Sequence, residues 1–327
     1  MTKRNVLVSG ASGVIGYGIL KSLRSSGKAL HLIGTTVFPD SVAQGFCDTY
    51  LQPPMTSDAR YMGWLLETIT RHEVELLIPG IEPDLFKWCE HRDAIERAGA
   101  RIVMNTEELV HLCQDKWHFY QRLLDAGFPY AIPSSLSADF HFLAQEFGLP
   151  FLLKPRRGNG SRGIVRVDGI ERFREHQSAV GPVLMAQPIV GCDEEEYTTS
   201  AFCDGEGGFF ASLSLKRRLA REGYTEKAEV VEDKAIIEAV SRLCQLFKPV
   251  GPTNFQFRKD GEAMRLLEIN PRISSSTSIR TGFGYNEASL AVEFYLENRQ
   301  MTKPTIRPGK AVRYIEDFFY YEDRSGF

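Results

Sequence analysis

The sequence lacks the features that would direct it to a membrane or out of the cell. None of its apolar runs reaches the ~18 residues that a membrane-spanning helix requires. Its first ten residues, MTKRNVLVSG, lack the long apolar stretch and small-residue cleavage site of a signal peptide. The six cysteines are scattered without a Cys-x-x-Cys pair, which disfavours zinc and disulfide frameworks. We therefore expect a cytoplasmic protein with reduced thiols.

A strong charge excess and a Walker motif are also absent. The 39 basic and 42 acidic residues give a net charge of -3, so electrostatics offers no case for nucleic acid or a membrane as a partner. Because Gly-x-x-x-x-Gly-Lys-Ser/Thr does not occur, a nucleotide site would need another architecture. What is present is an ordinary globular composition, 43% hydrophobic and 25% charged, over 327 residues. This length allows two or three compact units.

Strands and helices alternate through the first 110 residues. Apolar strand patterns occupy residues 5–9, 30–34, 76–79 and 101–104, and helical patterns lie between them, ending near residue 25 and covering residues 59–72 and 84–98. This alternation predicts a parallel, doubly wound α/β sheet.

The pattern changes after residue 110. Helices are predicted at 106–112, 116–126, 232–246 and 286–297, and strands at 150–154, 164–167, 183–190, 197–203, 209–215, 253–258 and 263–270. Successive strands joined by loops and hairpins predict a largely antiparallel α+β region.

The first glycine motif, Gly10, Gly13 and Gly16, follows a strand and opens a helix. Its spacing is that of dinucleotide-binding dehydrogenases and epimerases, and backbone N–H groups at such a turn can hold a phosphate. However, no acidic residue follows the second strand until Asp40, and the one Tyr-x-x-x-Lys spacing, Tyr17 to Lys21, lies in the first helix. Three interpretations of these glycines stay open: close packing of the helix on the strand, a substrate contact, and a dinucleotide site.

A second glycine-rich segment follows a strand that ends in Lys154. Such a lysine can direct its charge into a cleft, and a loop with few bulky side chains can fold over phosphates. The loop contributes Gly158, Gly160, Ser161 and Gly163 as candidate phosphate contacts. An ordinary flexible hairpin loop is the alternative. Lys116, at the start of a helix, is a further candidate cation, and a solvated surface lysine is its alternative.

The apolar stretch 183–191 leads to a bend and then to a run of acidic residues. The backbone of this stretch is suited to hydrogen-bonding an adenine edge. The last carboxylate of the run, Glu196, is a candidate ligand for ribose hydroxyls, and a solvated acidic loop is the alternative.

The strand pattern 266–270 predicts a metal site. Glu268 and Asn270 share a face of the strand because side chains alternate, and both carry the oxygen ligands that Mg²⁺ prefers. A three-residue loop, residues 259–261, would pair Arg258 with residue 262 and bring Gln256 onto the same face. Arg272 then lies beside the metal, where it can stabilise a transferred phosphate. A surface salt bridge is the alternative for Glu268 alone.

These motifs resemble the ATP-grasp enzymes, within them the carbamoyl-phosphate-synthetase-like group. Glu268-Ile-Asn-Pro-Arg-Ile-Ser, with Gly284-Tyr285 downstream, is similar to that group's metal strand, and Asn254-Phe-Gln256-Phe is similar to the strand with its third ligand. Asp204 fits the group's spacing after Glu196. The resemblance covers nearly the whole chain. It implies a Rossmann-like pre-ATP-grasp domain at 1–110 and an ATP-grasp domain at 111–327 with a mobile lid at about 125–185.

The resemblance also implies ligand contacts. Lys116 and Lys154 would be the two nucleotide-phosphate cations, and Gln187 and Ile189 would give backbone contacts to adenine. The sequence departs from the synthetase at three points: it has one grasp unit rather than two, lysines where the synthetase has arginines at positions 116 and 154, and Ser275 where the synthetase has a further arginine. The two lysines are more similar to stand-alone carboxylate–amine ligases.

The sequence therefore predicts an ATP-dependent ligase that joins a carboxylate to an amine through an acyl phosphate. Mg²⁺, or alternatively Mn²⁺, would lie on Gln256, Glu268 and Asn270, with Arg272 and Lys154 as catalytic residues. The charged segment 216–227 either reaches the substrate or forms a solvated hairpin. The expected partners are small molecules, and a homodimer stays open. The alternatives are a carbamoyl-phosphate-synthase-like half, an ATP-binding module without turnover, and an NAD-dependent epimerase or reductase.

Overall fold

The computed structural model describes residues 3–158, 163–261, 263–297 and 301–319. An N-terminal unit contains a five-stranded parallel sheet with the strand order β3-β2-β1-β4-β5. Its elements are β1 (Arg4–Val8), α1 (Val14–Arg24), β2 (Leu30–Thr35), β3 (Thr49–Leu51), α2 (Tyr61–Arg71), β4 (Leu76–Ile78), α3 (Glu82–Glu90), α4 (Arg92–Arg97) and β5 (Arg101–Ile102). The predicted helix at 84–98 is thus two helices, which meet at His91.

A linking pair of helices and a small sheet follow. The helices are α5 (Glu107–Gln114) and α6 (Lys116–Asp125), and Asp115 caps α6 by accepting a hydrogen bond from Trp117 N–H. The small sheet is antiparallel with the order β7-β6-β8. Its region comprises α7 (Phe140–Phe147), β6 (Phe151–Pro155), β7 (Val165–Val167), α8 (Ile170–Arg174) and β8 (Leu184–Pro188).

The remainder forms a six-stranded antiparallel sheet, the large sheet, with the order β13-β12-β9-β10-β11-β14. Its strands and helices are β9 (Glu196–Asp204), β10 (Phe209–Leu219), β11 (Thr225–Val231), α9 (Lys234–Phe247), β12 (Val250–Asp260), β13 (Ala263–Asn270), α10 (Thr277–Gly282), α11 (Glu287–Leu296) and β14 (Lys310–Val312). The sequence patterns did not predict β3, α7, α8, β11, α10 or β14.

Alternation along the central strands separates a packed face from a polar face. On β12, Phe255 and Phe257 pack against α9 in one apolar core, while Asn254, Gln256 and Arg258 have the opposite parity. A second core joins α1 and β1 of the N-terminal unit to α11 and to Phe202 of β9. The small sheet has a separate core of its own, which includes Phe151 and Phe173.

The predicted parallel sheet and the predicted antiparallel region after it are thus present, while the domain boundary near residue 110 stays a prediction. Within the described ranges, no helix combines the length and apolar character needed to cross a bilayer.

Candidate functional site

A cleft of about 760 Å³ lies between the small sheet and the polar face of the large sheet. The turn that begins α1 and the start of α3 close one end of it. Its walls bring together most of the residues predicted from sequence. They include Lys116, Lys154, Gly158, Gln187, Ile189, Glu196, Gln256, Glu268, Asn270 and Arg272.

We call residues 266–270 the metal strand after their predicted role. Their Glu268 and Asn270 line the cleft, although the predicted hairpin was wrong. Asp260 pairs with Ala263 and Arg258 pairs with Arg265, so the hairpin tip is one residue shorter than predicted. A two-residue tip alone would turn Gln256 away from Glu268. The register shifts between Gln256 and Phe257, where β13 carries one extra residue, Leu267. This bulge restores the pairing of Gln256 with Glu268.

Three oxygen-bearing side chains meet at this pairing. Glu268 Oε1 accepts from Asn270 Nδ2 at 2.9 Å, Asn270 Oδ1 accepts from Arg272 at 3.0 Å, and Gln256 Oε1 accepts from Arg217 at 2.8 Å. Carboxylate and amide oxygens suit Mg²⁺, which proteins commonly bind through one or two carboxylates together with substrate phosphates. A set with a single carboxylate therefore fits Mg²⁺ that is shared with a nucleotide better than Mg²⁺ alone.

Arg272 is held next to the metal-strand oxygens from two directions. Its guanidinium donates to Asn270, and it forms an ion pair with Glu82 of α3 at 2.8 Å. The side chain is only 12% exposed. Glu82 thus connects the N-terminal unit to the metal strand, and it also lines the cleft.

The two candidate phosphate lysines lie at the lid side of the cleft. Lys116 Nζ donates to the carbonyl of Gly158 at 2.6 Å, which ties the start of α6 to the glycine-rich loop. Burial lowers the pKa of Lys154 to about 8, although the nearby carboxylate of Glu268 opposes the shift. Lys154 therefore loses its proton more easily than an ordinary lysine, and it lines the cleft near the carboxylate of Glu268.

The glycine-rich loop is only partly covered by the structure. Gly158 has a φ of +113° and lines the cleft. Gly163, with a φ of +74°, lies near Pro155 and is not among the described residues that line it. Gly160 and Ser161 lie outside the described residues.

At the adenine end predicted from sequence, Gln187 and Ile189 line the cleft beside Leu152 and Pro188. The side chain of Gln187 donates to Ser134 Oγ at 2.6 Å.

Glu196 is almost fully buried, at 4% exposure. It forms ion pairs with Arg217 at 2.8 Å and with Arg258 at 2.7 Å. Arg217 also donates to Gln256, so one guanidinium joins the candidate ribose ligand to a candidate metal ligand. Of the charged segment 216–227, Arg217, Leu219 and residues 222–224 line the cleft.

Sequence reasoning missed Glu82 and the role of Arg258 as a partner of Glu196. Both had a recognisable signal. Glu82 follows the carboxyl end of a parallel strand, where ligand-contacting residues of α/β sheets gather. Arg258 is two residues after Gln256 and therefore shares its face of β12.

The N-terminal glycines make close backbone contacts. A Cβ at Gly16 would lie 2.3 Å from the carbonyl oxygen of Gly10, and a Cβ at Gly10 would lie 2.4 Å from the side chain of Ile81. These distances account for glycine at both positions through packing alone. Gly13 differs because it lines the cleft together with Val14 and Ile15.

Comparison with known proteins links part of the chain to a family. The family model described as "ATP-grasp in the biosynthetic pathway with Ter operon" matches residues 184–318, which include Glu196 and the whole metal strand. This part of the chain is therefore similar to ATP-grasp proteins.

A curated relative matches a longer part of the chain. The large chain of carbamoyl phosphate synthase from Thermotoga petrophila is 23% identical over 311 residues, which cover 86% of this chain and 28% of the relative. This chain thus spans less than a third of the length of that synthase chain.

Two solved structures share the fold. N5-carboxyaminoimidazole synthetase from Staphylococcus aureus, complexed with ADP, has a TM-score of 0.73 at 14% identity, covering 96% of this chain and 83% of its own. Biotin carboxylase from Campylobacter jejuni, in a β-γ-ATP complex, has a TM-score of 0.73 at 16% identity, covering 94% and 74%. Nearly the whole chain thus shares the fold of these two proteins, beyond the range that the family model matches.

Proposed function

We propose that this protein is a Mg²⁺-dependent ATP-grasp ligase that joins a carboxylate to an amine through an acyl phosphate. The observation that carries the proposal is the convergence on one cleft of Lys116, Lys154, Arg272 and the oxygen set of Gln256, Glu268 and Asn270. The nucleotide complexes of the two structural neighbours support ATP as the occupant.

In this proposal the adenine lies against the backbone at Gln187 and Ile189, and Glu196 accepts the ribose hydroxyls. Lys116, Lys154 and the loop with Gly158, Gly160, Ser161 and Gly163 contact the phosphates. Mg²⁺, or Mn²⁺ in its place, would neutralise phosphate charge at the oxygen set. Glu196 already accepts from Arg217 and Arg258, and a carboxylate has a further acceptor site for a ribose hydroxyl.

The chemistry follows from position and charge. A substrate carboxylate attacks the γ-phosphorus and releases ADP, and an amine then attacks the acyl carbon and releases phosphate. Arg272 and Lys154 stabilise the negative charge on the transferring group, which is the main protein contribution to phosphoryl transfer. The ion pair of Arg272 with Glu82 fixes where that positive charge lies.

The assignment of units belongs to the same proposal. Residues 1–110 form a Rossmann-like supporting domain, residues 111–327 form the ATP-grasp domain, and the region of about 125–185 is a lid that closes over the nucleotide. The cytoplasmic location and the homodimer remain predictions from the sequence.

The test is ADP release with Mg–ATP and pools of carboxylates, with hydroxylamine present to trap an acyl phosphate as a hydroxamate. We expect pool-dependent ADP and hydroxamate from the native chain, and a loss of at least about a hundredfold in Glu268→Ala, because one carboxylate supplies the only formal negative charge of the oxygen set. Circular dichroism serves as the control for folding.

The outcomes separate the alternatives. ADP binding without pool-dependent release would favour a binding module. Release that requires bicarbonate and ammonia would favour a carbamoyl-phosphate-synthase-like reaction. NAD recovered from the denatured protein would favour the epimerase or reductase. Undiminished turnover in Glu268→Ala would refute the metal assignment.

A further inference from the structure

A second cavity of about 460 Å³ adjoins the cleft. It lies between the edge strand β13 and the helices α3, α5 and α6, and we call it the side chamber. It shares many lining residues with the cleft, including Lys116, Lys154, Gly158, Gln187, Glu268, Asn270 and Arg272, so it opens beside the proposed nucleotide contacts. The nucleotide proposal places nothing against the walls that the side chamber does not share with the cleft.

The far walls of the side chamber are largely apolar. Their apolar part is formed by Phe86, Val110, Cys113, Phe119, Tyr120 and Leu123, and Glu90, Gln114 and Arg157 are the polar residues beside it. Burial raises the pKa of the Cys113 thiol, so this group is neutral and acts as a small apolar side chain. The charged groups Lys154, Glu268 and Arg272 stand at the mouth, where the chamber joins the cleft.

The size and shape of the chamber argue against a packing defect. Protein interiors contain few voids larger than a water molecule. A volume of 460 Å³ falls within the range of ligand pockets, which combine apolar walls with a few polar groups. Apolar walls with charged groups at one end match a molecule that has an apolar body and a polar reacting end.

We propose that the side chamber holds the apolar or aromatic side group of an amino-acid-like substrate whose reacting carboxylate or amine lies at Arg272 and Lys154. That this end of the molecule reacts depends on the proposed ligase function. Binding of the apolar group in the side chamber does not depend on it. The shared chemistry is an apolar side group next to a polar reacting end. It applies whether the molecule supplies the carboxylate or the amine.

Matched pairs of probes test this proposal. The N-acetyl derivatives of leucine and phenylalanine offer a carboxylate without an amine, and their carboxamides offer an amine without a carboxylate. The corresponding glycine derivatives lack the side group. Titration calorimetry with saturating Mg–ADP measures binding without turnover.

We expect at least one leucine or phenylalanine derivative to bind about ten- to hundredfold more tightly than its glycine counterpart, as burial of one large apolar side chain allows. A preference among the N-acetyl probes identifies the carboxylate substrate, and one among the carboxamides identifies the amine substrate. Equal binding by the glycine and the larger derivatives, or no binding by any of them, would overturn the proposal.

Two variants connect the preference to the chamber. Cys113→Leu fills the volume and should remove the preference while the Mg–ADP affinity is retained. Tyr120→Ala removes one wall and should weaken the preference about tenfold. Phe142→Ala, on an exposed phenylalanine of α7, is the matched control and should change nothing.

The two proposals can fail separately. A preference that survives both Cys113→Leu and Tyr120→Ala would refute the side chamber even in a working ligase. If Cys113→Leu does not fold, Tyr120→Ala decides. Conversely, probe binding without ADP release from any carboxylate pool would refute the ligase and leave the chamber assignment standing.

Discussion

The Arg280–Glu287 pair is fully buried beneath the cleft, and its removal should be among the most destabilising changes in this chain. Both side chains are 0% exposed, with 3.4 Å between Nη1 and Oε1. Arg280 also donates to Ser274 at 2.7 Å, Asn254 at 2.8 Å and Thr198 at 2.9 Å. Arg280→Met keeps most of the volume but leaves a buried carboxylate without its cation.

The expected magnitude follows from this burial. Breaking a buried ion pair by removing one partner costs about 3–5 kcal/mol, and each buried acceptor left without a donor adds about 1 kcal/mol or more. We therefore expect Arg280→Met to lower the free energy of unfolding by at least about 4 kcal/mol. The double variant Arg280→Met/Glu287→Met removes both charges, so it should be more stable than the sum of the single variants predicts by about 2–3 kcal/mol.

Urea unfolding followed by tryptophan fluorescence and circular dichroism measures these differences, and agreement of the two probes tests for a single transition. Arg172→Met is the matched control, because the Arg172–Glu175 pair is exposed at 48% and 58%. It should change stability by less than about 0.5 kcal/mol. A cost below about 1 kcal/mol for Arg280→Met, or strict additivity in the double variant, would refute the reasoning.

Two further predictions concern the cleft and the N-terminal turn. Because the pKa of Lys154 is about 8, its charge is lost as pH rises through 8. The affinity for ADP, measured by calorimetry in EDTA, should then fall by up to about tenfold per pH unit. The variant Lys154→Arg keeps its charge, so its affinity for ADP should change little over the same pH range. A flat profile in the native chain would contradict this. Gly16→Ala places a Cβ 2.3 Å from a backbone carbonyl oxygen, so it should lower the free energy of unfolding by more than about 2 kcal/mol. Gly63→Ala lies in α2 with open space around it, so it should leave the free energy of unfolding unchanged or raise it by up to about 1 kcal/mol. Equal changes in the thermal unfolding midpoint of these two variants would show that Gly16 does not lie close to the carbonyl oxygen of Gly10.

Local patterns explain why much of the site could be predicted. The period of two placed Glu268 and Asn270 on one face, and the same rule gives Gln256 and Arg258 on β12. The order of elements gave a parallel unit followed by an antiparallel one. These features depend on residues close together in sequence, whose side-chain directions the backbone sets.

Other features depend on partners far away in sequence. The bulge at Leu267 leaves no mark in composition, so the hairpin tip was predicted one residue too long although Gln256 still faces Glu268. The pairing of Glu82 with Arg272 joins residues 190 positions apart. Likewise, the short strand β14 exists because β11 offers an edge for residues 310–312. Such contacts require the assembled fold.

The separate core of the small sheet has a consequence for how firmly the cleft is closed. The small sheet buries its apolar side chains mainly among themselves, in a cluster that includes Leu143, Phe151 and Phe173, whereas the N-terminal unit and the large sheet share one core. We therefore expect its local stability to be largely its own, so that opening of the small sheet would leave the metal strand in place. A nucleotide that contacts both sheets would stabilise the closed arrangement of the cleft. The fraction of molecules with a closed cleft would therefore increase with nucleotide concentration.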